Sequence, residues 1–296
     1  MSKKMVLLSP PTNKTTSSSS PPPPVAAVVA EQQWRSWEQL NPEILSLIFG
    51  KVTPTEEMMR RVPLVCKGWN EVVGGPYCWS EVDVQSWCRR RNDSHAVDRV
   101  VRGLLRRSKF MVQRLCVYRM GESGFFFVSH CGSFLKVLQM PMTDITDQMV
   151  LKHIKPLPNL TLLDISHCLK ITSTGLEAFG NNCTSLLHLI RNMPPLDAGL
   201  LPADDSEATT IAHTMPRLQQ IELCFGRFGD SGLSEILAKC KAITHLDIQG
   251  SWNVELNGDL AEMCERILCF QNPWTVCDGR FSDGSECSDV DFTDSE

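Results

Sequence analysis

The sequence predicts an α/β (or α+β) solenoid of repeated strand and helix units, with a small helical domain before it and disordered termini. Three observations support this fold class. A short apolar pattern recurs six times between residues 112 and 248. Two apolar helical patterns lie between Trp34 and Trp79, and both ends of the chain are polar and poor in large apolar residues. A repeated unit that cannot bury its own apolar face forms a core by stacking on its neighbours.

Residues 1 to 33 are rich in Ser, Thr and Pro, with Ser17 to Ser20 followed directly by Pro21 to Pro24. Such a composition cannot supply a packed core and predicts a disordered tail. A plastid transit peptide is the alternative, because the first acidic residue is Glu31. The absence of arginine before Arg35 and the proline run favour the plain tail.

Residues 34 to 80 contain two apolar helical patterns. The first follows Asn41-Pro42, a helix-capping residue and a proline suited to the first turn. The second ends at Gly74-Gly75-Pro76. Their apolar members are Ile44, Leu45, Ile48 and Phe49, and then Leu64, Val65, Trp69, Val72 and Val73. So short a segment buries only a small core, so part of its apolar surface should remain for a partner.

Residues 81 to 109 are predicted to form a connector and a capping helix. The alternating Glu81 to Val84 indicates a short strand, and a helix with one apolar face should begin near Asp93 or Ser94. The segment from Ser86 to Arg119 contains ten Lys and Arg residues but only two Asp. This basic run indicates either an acidic or phosphate-bearing partner or a solvated helix face. No aromatic residue is interleaved with the charges from residue 88 to 109, which favours the solvated face.

Residues 110 to 272 repeat the pattern apolar-x-x-apolar-x-apolar. Its starts are separated by 23, 25, 26, 32 and 25 residues, the period of leucine-rich repeats. The copies are Val112/Leu115/Val117, Leu135/Leu138/Met140, Leu160/Leu163/Ile165, Leu186/Leu189/Arg191, Leu218/Ile221/Leu223 and Ile243/Leu246/Ile248. Arg191 makes the fourth copy degenerate. The long spacing after it indicates a surface loop at residues 192 to 205, which either contacts a partner or is a tolerated insertion.

The 13 cysteines include no Cys-x-x-Cys pair, which favours reduced, buried thiols over disulfides or a zinc site. We therefore expect no metal, no cofactor and no RING-type ligase. Cysteines 131, 168, 183 and 240 fall at turns, which resembles the cysteine-containing subclass of leucine-rich repeats. His167-Cys168 is the one candidate catalytic pair, and its adjacent side chains should point to opposite faces. No phosphate-binding glycine loop or Ser-His-Asp arrangement is visible, so an enzyme finds little support.

The last segment, residues 273 to 296, is predicted to be an acidic disordered tail. From Cys277 onwards it carries seven acids and one arginine. Ser288 and Thr293 each precede an acid by three places, which suits an acid-directed kinase, although a solvating tail is the simpler interpretation. No apolar run approaches the roughly 20 residues that cross a bilayer, and the net charge of -5 disfavours nucleic acid as a partner.

The helical segment resembles an F-box. That pattern contains a leucine, a Pro-x-Glu-like start, an Ile-Phe pair and a Val-Cys-Lys-x-Trp run that closes on tryptophan. Its counterparts here are Leu40, Pro42, Glu43, Ile48, Phe49, Val65, Cys66, Lys67, Trp69 and Trp79. Two positions depart from it, with Asn41 in place of the usual proline and a middle helix that reads Glu56 to Arg61. Together with the repeats, the segment resembles a plant group of F-box/leucine-rich-repeat proteins over residues 34 to 270.

The resemblance implies the substrate-recognition subunit of an SCF (Skp-cullin-F-box) ubiquitin ligase, which is itself not catalytic. The F-box would bind a Skp-type adaptor and through it a cullin, and the repeats would bind the protein to be ubiquitylated, in the cytoplasm, the nucleus or both. The expected adaptor-binding residues are Leu40, Pro42, Ile44, Leu45, Ile48, Phe49, Val65 and Trp69. The expected substrate-binding residues are Gln139, Asp164, Glu222 and Asp247, at the place before the third apolar residue of a repeat. A protein-interaction scaffold outside any ligase is the alternative.

Overall fold

The computed structural model describes residues 37, 40–195 and 202–275. The described residues from Asn41 to Thr275 belong to one structural unit, and residues 37 and 40 belong to another. The predicted N-terminal tail, most of the acidic tail with Ser288 and Thr293, and residues 196–201 of the predicted loop lie outside the described residues.

The unit is α/β, with eleven α-helices and one parallel sheet of eight strands among its described residues. The helices are α1 (Pro42–Val52), α2 (Thr55–Arg60), α3 (Lys67–Gly74), α4 (Gln85–Arg91), α5 (Ser94–Arg107), α6 (Glu122–Cys131), α7 (Asp147–His153), α8 (Ser173–Asn182), α9 (Ser206–Thr214), α10 (Asp230–Lys239) and α11 (Leu260–Glu265). The strands are β1 (Glu81–Asp83), β2 (Arg114–Cys116), β3 (Val137–Gln139), β4 (Leu162–Asp164), β5 (His188–Ile190), β6 (Gln220–Glu222), β7 (His245–Asp247) and β8 (Cys269–Gln271).

The helical domain, residues 41 to 79, begins with α1 as predicted. Asn41 caps this helix, because its Oδ1 accepts a hydrogen bond from the Glu43 N–H at 2.8 Å. The last helix, α3, starts later than the apolar pattern suggested. Leu64 lies in a 3₁₀ turn, Val62–Leu64, and α3 begins at Lys67 and ends at Gly74. Pro63 explains the delay, since proline removes a backbone donor and restricts the residue before it.

The sheet confirms the predicted repeats. In each of the six copies the strand is centred on the second apolar residue, and neighbouring strands pair in register, as Leu138 does with Leu115 and Leu163. The four leucines at the centres of β2 to β5 have no exposed side-chain surface. In the unit after β4, Cys168 and Ile171 form the turn and Phe179 is buried on α8, as predicted.

The stack extends beyond the six predicted copies at both ends. The strand predicted at residues 81 to 84 is β1, which pairs with β2, and α5 packs on α6 as the first helix of the layer. At the other end, a further helix and strand, α11 and β8, follow the last predicted copy, and β8 pairs with β7.

The helical domain covers the free edge of β1. The Thr55 Oγ1 accepts a hydrogen bond from the Asp83 N–H at 3.0 Å, and Lys51 pairs with Glu81 at 3.1 Å. Trp79 is fully buried and donates to the Val73 carbonyl at 2.9 Å, and the Arg107 guanidinium lies 5.1 Å from the centre of its ring. A protected edge strand cannot pair with other chains.

Carboxylates join consecutive repeat units through backbone N–H groups. An Asp at or near the start of one helix accepts a hydrogen bond from the turn of the next unit, at 2.8 Å in each of four cases. The pairs are Asp98 with Gly121, Asp147 with Thr172, Asp205 with Gly229 and Asp230 with Glu255. These bonds are made between units, so they couple each repeat to its neighbour.

Candidate protein-interaction surfaces

Helix α1 has two apolar faces. Leu45 and Phe49 are buried on one of them, with 2% and 4% of their surface exposed. Ile44, Leu47 and Val52 lie on the other, with 48%, 68% and 71% exposed. At about 100° per residue, these three and Ile48 occupy one continuous arc. The helix therefore packs on its own domain with one face and presents the other to solvent.

A second apolar surface lies between α2 and α3. Leu64 and Val65 are 82% and 58% exposed in the turn before α3. Behind them, the Trp69 ring meets Phe49 edge to face, with ring centres 4.8 Å apart. The Trp69 Nε1 is buried and has no hydrogen-bond partner among the described residues. Large apolar side chains with so much exposed surface are typical of a region that another protein covers.

The expected adaptor-binding residues fall into three groups. Pro42, Ile44 and Val65 are exposed, and Ile48 and Trp69 are half-buried. Leu45 and Phe49 belong to the internal core, so a partner reaches them only through their neighbours. Leu40 lies immediately before the capping residue of α1, and its N–H donates to the Trp37 carbonyl at 3.3 Å. Their role in binding stays a prediction.

Two strongly exposed leucines, Leu47 and Leu64, are absent from the expected adaptor-binding residues. Leu47 could have been included, because it lies three residues after Ile44 on the same side of α1. The exposure of Leu64 was hidden from the sequence, because the apolar pattern counts it as part of α3 and not of the turn before it.

The last residues of the strands form a column across the sheet, here called the strand-end column. The register aligns Gln139 with Asp164, Asp164 with Ile190, Ile190 with Glu222, and Glu222 with Asp247. The four expected substrate-binding residues therefore share one face and one row. Their role as a binding site stays a prediction.

Each polar member of this column is anchored locally. The Gln139 Oε1 accepts a hydrogen bond from Arg114 at 3.0 Å. Asp164 accepts from the Ser166 N–H at 2.9 Å, and Asp247 accepts from the Gln249 N–H at 3.1 Å. Two side chains lie 3.3 Å from the Glu222 carboxylate, His188 through its Nε2 and Asn192 through its Nδ2.

Three of these residues, Asp164, Glu222 and Asp247, are here called the acidic strip. Burial raises the pKa of Asp164 and of Asp247, and the Glu222 carboxylate adds to both shifts. Strands β4 to β8 contain no Lys or Arg. In the described part of the chain, no Lys or Arg forms an ion pair with the strip. The strip thus carries negative charge that no described Lys or Arg side chain pairs with, and His188 lies beside its Glu222 carboxylate.

Arg191, the residue that made the fourth copy degenerate, is buried and fully engaged. Only 1% of its surface is exposed, and it forms a two-point ion pair with Glu207 on α9 at 2.9 and 3.2 Å. It also donates to the backbone carbonyls of Ile165, Cys168 and Ile171. The guanidinium therefore joins three parts of the solenoid where other copies have an apolar residue.

The cysteines are free thiols where the structure describes them. Burial raises the pKa of Cys168 to about 12, and that of Cys183 to about 12. A thiol with so high a pKa is rarely ionised at neutral pH, so Cys168 is a poor nucleophile. Within the described ranges, no cluster of His, Cys, Asp and Glu could hold a metal ion, and no helix combines the length and hydropathy needed to cross a membrane.

Comparison with known proteins finds relatives among F-box proteins. The chain is 36% identical to F-box protein FBW2 of Arabidopsis thaliana, over 86% of this chain and 84% of that protein. It is 28% identical to F-box protein SKIP19 of Arabidopsis thaliana, over 80% of this chain and 77% of that protein. Other Arabidopsis relatives carry F-box/LRR-repeat in their names. No family model matches the chain.

The identity, the coverage and the stacked parallel strands after a helical domain lead to one assignment. The chain belongs to the family of plant F-box and F-box/leucine-rich-repeat proteins.

Proposed function

We propose that this chain is the substrate-recognition subunit of an SCF ubiquitin ligase. In this role the F-box, residues 41 to 79 of the described chain, binds a Skp-type adaptor and through it a cullin. The repeats bind the protein to be ubiquitylated. The family supports the general role, since its members are named F-box proteins and two carry the SKIP designation.

The observation that carries the proposal is the apolar surface of the helical domain. Ile44, Leu47, Val52, Leu64 and Val65 are each about half or more exposed. Burial of one such side chain in an interface contributes about 1.5 to 3 kcal/mol. A handful of them is enough to anchor a stable complex, because a few central residues carry most of the energy of an interface.

The mechanism needs no reactive group on this chain. An adaptor held at one end and a substrate held at the repeats raise the concentration of substrate near the enzyme that transfers ubiquitin. The F-box contacts β1 through Thr55 and Lys51, and α5 through the Trp79–Arg107 contact. These contacts restrict movement between the F-box and the repeats, which would help to position the substrate.

Co-purification with a Skp-type adaptor and a cullin tests the proposal. We expect Leu47→Ser and Leu64→Ser each to weaken adaptor binding by at least about tenfold, since each removes an apolar anchor. Leu268→Ser is the matched control, because Leu268 is 80% exposed in the last repeat unit. It should leave adaptor binding unchanged.

Two outcomes would overturn the proposal. One is failure of the native chain to bind any Skp-type adaptor, which would favour a scaffold outside ligases. The other is an equal loss in Leu268→Ser, which would show that the assay reports general surface hydrophobicity.

A further inference from the structure

A row of turn residues lies next to the strand-end column, three residues further along each unit. Backbone hydrogen bonds align this row across the stack. The Met142 N–H donates to the Ser166 carbonyl at 2.9 Å, and the His167 N–H donates to that of Asn192 at 2.7 Å. The same bond recurs from Met193, from Phe225 and from Gly250, at 2.8 to 2.9 Å. The row therefore continues the sheet at the carboxyl ends of its strands.

Large apolar side chains project from this edge. Met142, Leu169, Trp252 and Trp274 are 39%, 62%, 48% and 53% exposed, and Met193 and Phe225 are half-buried. These six residues are here called the apolar rim. Several large apolar side chains exposed along one edge are typical of a protein-binding surface.

Two rim residues adopt a backbone conformation that side chains disfavour. Met142 and Phe225 have φ angles of 59° and 57°, in the left-handed region, and His167 in the same row of turn residues has a φ of 57°. The equivalent residue in a later unit is Gly250, with φ of 72°, so glycine suits the same turn. Positions that keep a large side chain where glycine would relieve strain are candidates for function.

The charge beside the rim identifies the kind of partner. Only two residues separate Glu222 from Phe225, so this member of the acidic strip lies at most about 10 Å along the chain from the rim. Two cations of the neighbouring loops are already engaged, Lys170 with Asp144 at 2.9 Å and Arg227 with the Pro202 carbonyl at 3.3 Å. Glu222 and Asp247 are half-buried, so a cation from outside the chain can reach them, whereas Asp164 is only 8% exposed.

We propose that the rim and the acidic strip together bind a basic segment of the substrate protein. Apolar side chains of this segment pack on the rim, and its Lys or Arg side chains reach the half-buried Glu222 and Asp247. Complementary charge sets partner choice and orientation, while the apolar contacts supply most of the affinity. This inference rests on the proposed function, because it takes the repeats to be the substrate-binding part of the chain.

Selection of random peptides displayed on phage, against the full chain bound to its adaptor, tests the inference. We expect retained peptides to be rich in Lys and Arg together with Leu, Met or aromatic residues. Their binding should weaken as salt is raised, because ionic contacts are screened. Retention of acidic peptides, or no enrichment at all, would overturn the inference.

Variants locate the binding. Glu222→Gln with Asp247→Asn should weaken a retained peptide at least tenfold, and Glu177→Gln is the control, since Glu177 is exposed on α8 away from the strand-end column. Met142→Gly should weaken the peptide without lowering the unfolding midpoint, because glycine accepts the left-handed turn. Unchanged affinity in these variants would overturn the inference.

Adaptor binding, measured on the same preparations, separates the two proposals. An adaptor complex that retains no basic peptide leaves the ligase role intact and removes this inference. A chain that retains such peptides but binds no adaptor removes the ligase role and leaves the basic-peptide site on the repeats.

Discussion

The F-box and the repeats are both rich in large apolar residues, but they use them in opposite ways. Leu115, Leu138 and Leu163 are fully buried at strand centres, whereas Leu47 and Leu64 are 68% and 82% exposed. Each repeat is covered by its neighbours, so every central leucine finds a place in one continuous core. The F-box is too short to cover all its apolar residues. The same residue type therefore stabilises the fold in one region and remains available for a partner in the other.

The largest effect should come from Arg191, a polar group inside the repeat core. Arg191→Leu restores the apolar residue of the other copies but leaves three carbonyls and Glu207 without their donor. We expect it to lower the free energy of unfolding by about 3 to 5 kcal/mol, measured by chemical denaturation. Glu207→Gln, which keeps an acceptor, should cost less. A stable Arg191→Leu variant would show that the degenerate copy is only a tolerated substitution.

The central leucines come next. Leu163→Ala should lower the free energy of unfolding by about 2 to 5 kcal/mol, because the transfer energy is lost and a cavity forms between β4 and its helix. Thermal or urea unfolding of the full chain measures the change. A loss below about 1 kcal/mol would mean that the stack relaxes to fill the space.

The joints between repeats should give a smaller effect. The Gly175 N–H donates to Asp147 at 3.0 Å, and a Cβ at Gly175 would overlap that carboxylate and Ile171. We expect Gly175→Ala to lower the free energy of unfolding by about 1 to 3 kcal/mol. Gly103→Ala is the control, because Gly103 is an exposed position of α5 with open space around it. There alanine should raise the free energy of unfolding by about 0.5 to 1 kcal/mol. A gain in stability at both positions would show that close packing of Gly175 against Asp147 is not needed for stability.

The repeats could be predicted because six copies of one pattern define the strand centres and their register. The helix starts at Asn41-Pro42 and Asp93 follow from local capping, which the sequence shows directly. The role of Arg191 could not be predicted, since its partners lie on other units and the pattern alone makes it a defect. The hydrogen bonds from Asp side chains to the next unit could not be predicted for the same reason, because Asp147 and Gly175 meet only after the repeats stack.

The division of apolar residues in the F-box was beyond sequence patterns. Leu45 and Leu47 are the same residue type two places apart, yet one is core and the other surface. Deciding between them requires knowing which side of α1 faces α3.

The acidic strip should show a pH effect of modest size. The pKa of Asp164 is raised in the folded chain, mainly by burial. As pH rises above about 4, the unfolded chain loses this proton before the folded chain does, so the residue lowers stability at neutral pH. Asp164→Asn should therefore be more stable than the native chain at neutral pH, and the difference should shrink on acidification. Denaturation at a series of pH values measures it, and a less stable variant at neutral pH would contradict the sign.

The smallest effect on stability should come from the most exposed leucine. Leu64→Ser removes a side chain that is 82% in solvent, so we expect the free energy of unfolding to change by no more than about 0.5 kcal/mol. The same substitution should weaken adaptor binding, because the proposed complex buries that side chain. A large loss of stability in the isolated chain would place Leu64 in the fold and not in the interface. If Leu64→Ser loses adaptor binding but keeps its stability, while Leu163→Ala loses stability, then apolar residues bind a partner in the F-box and stabilise the fold in the repeats.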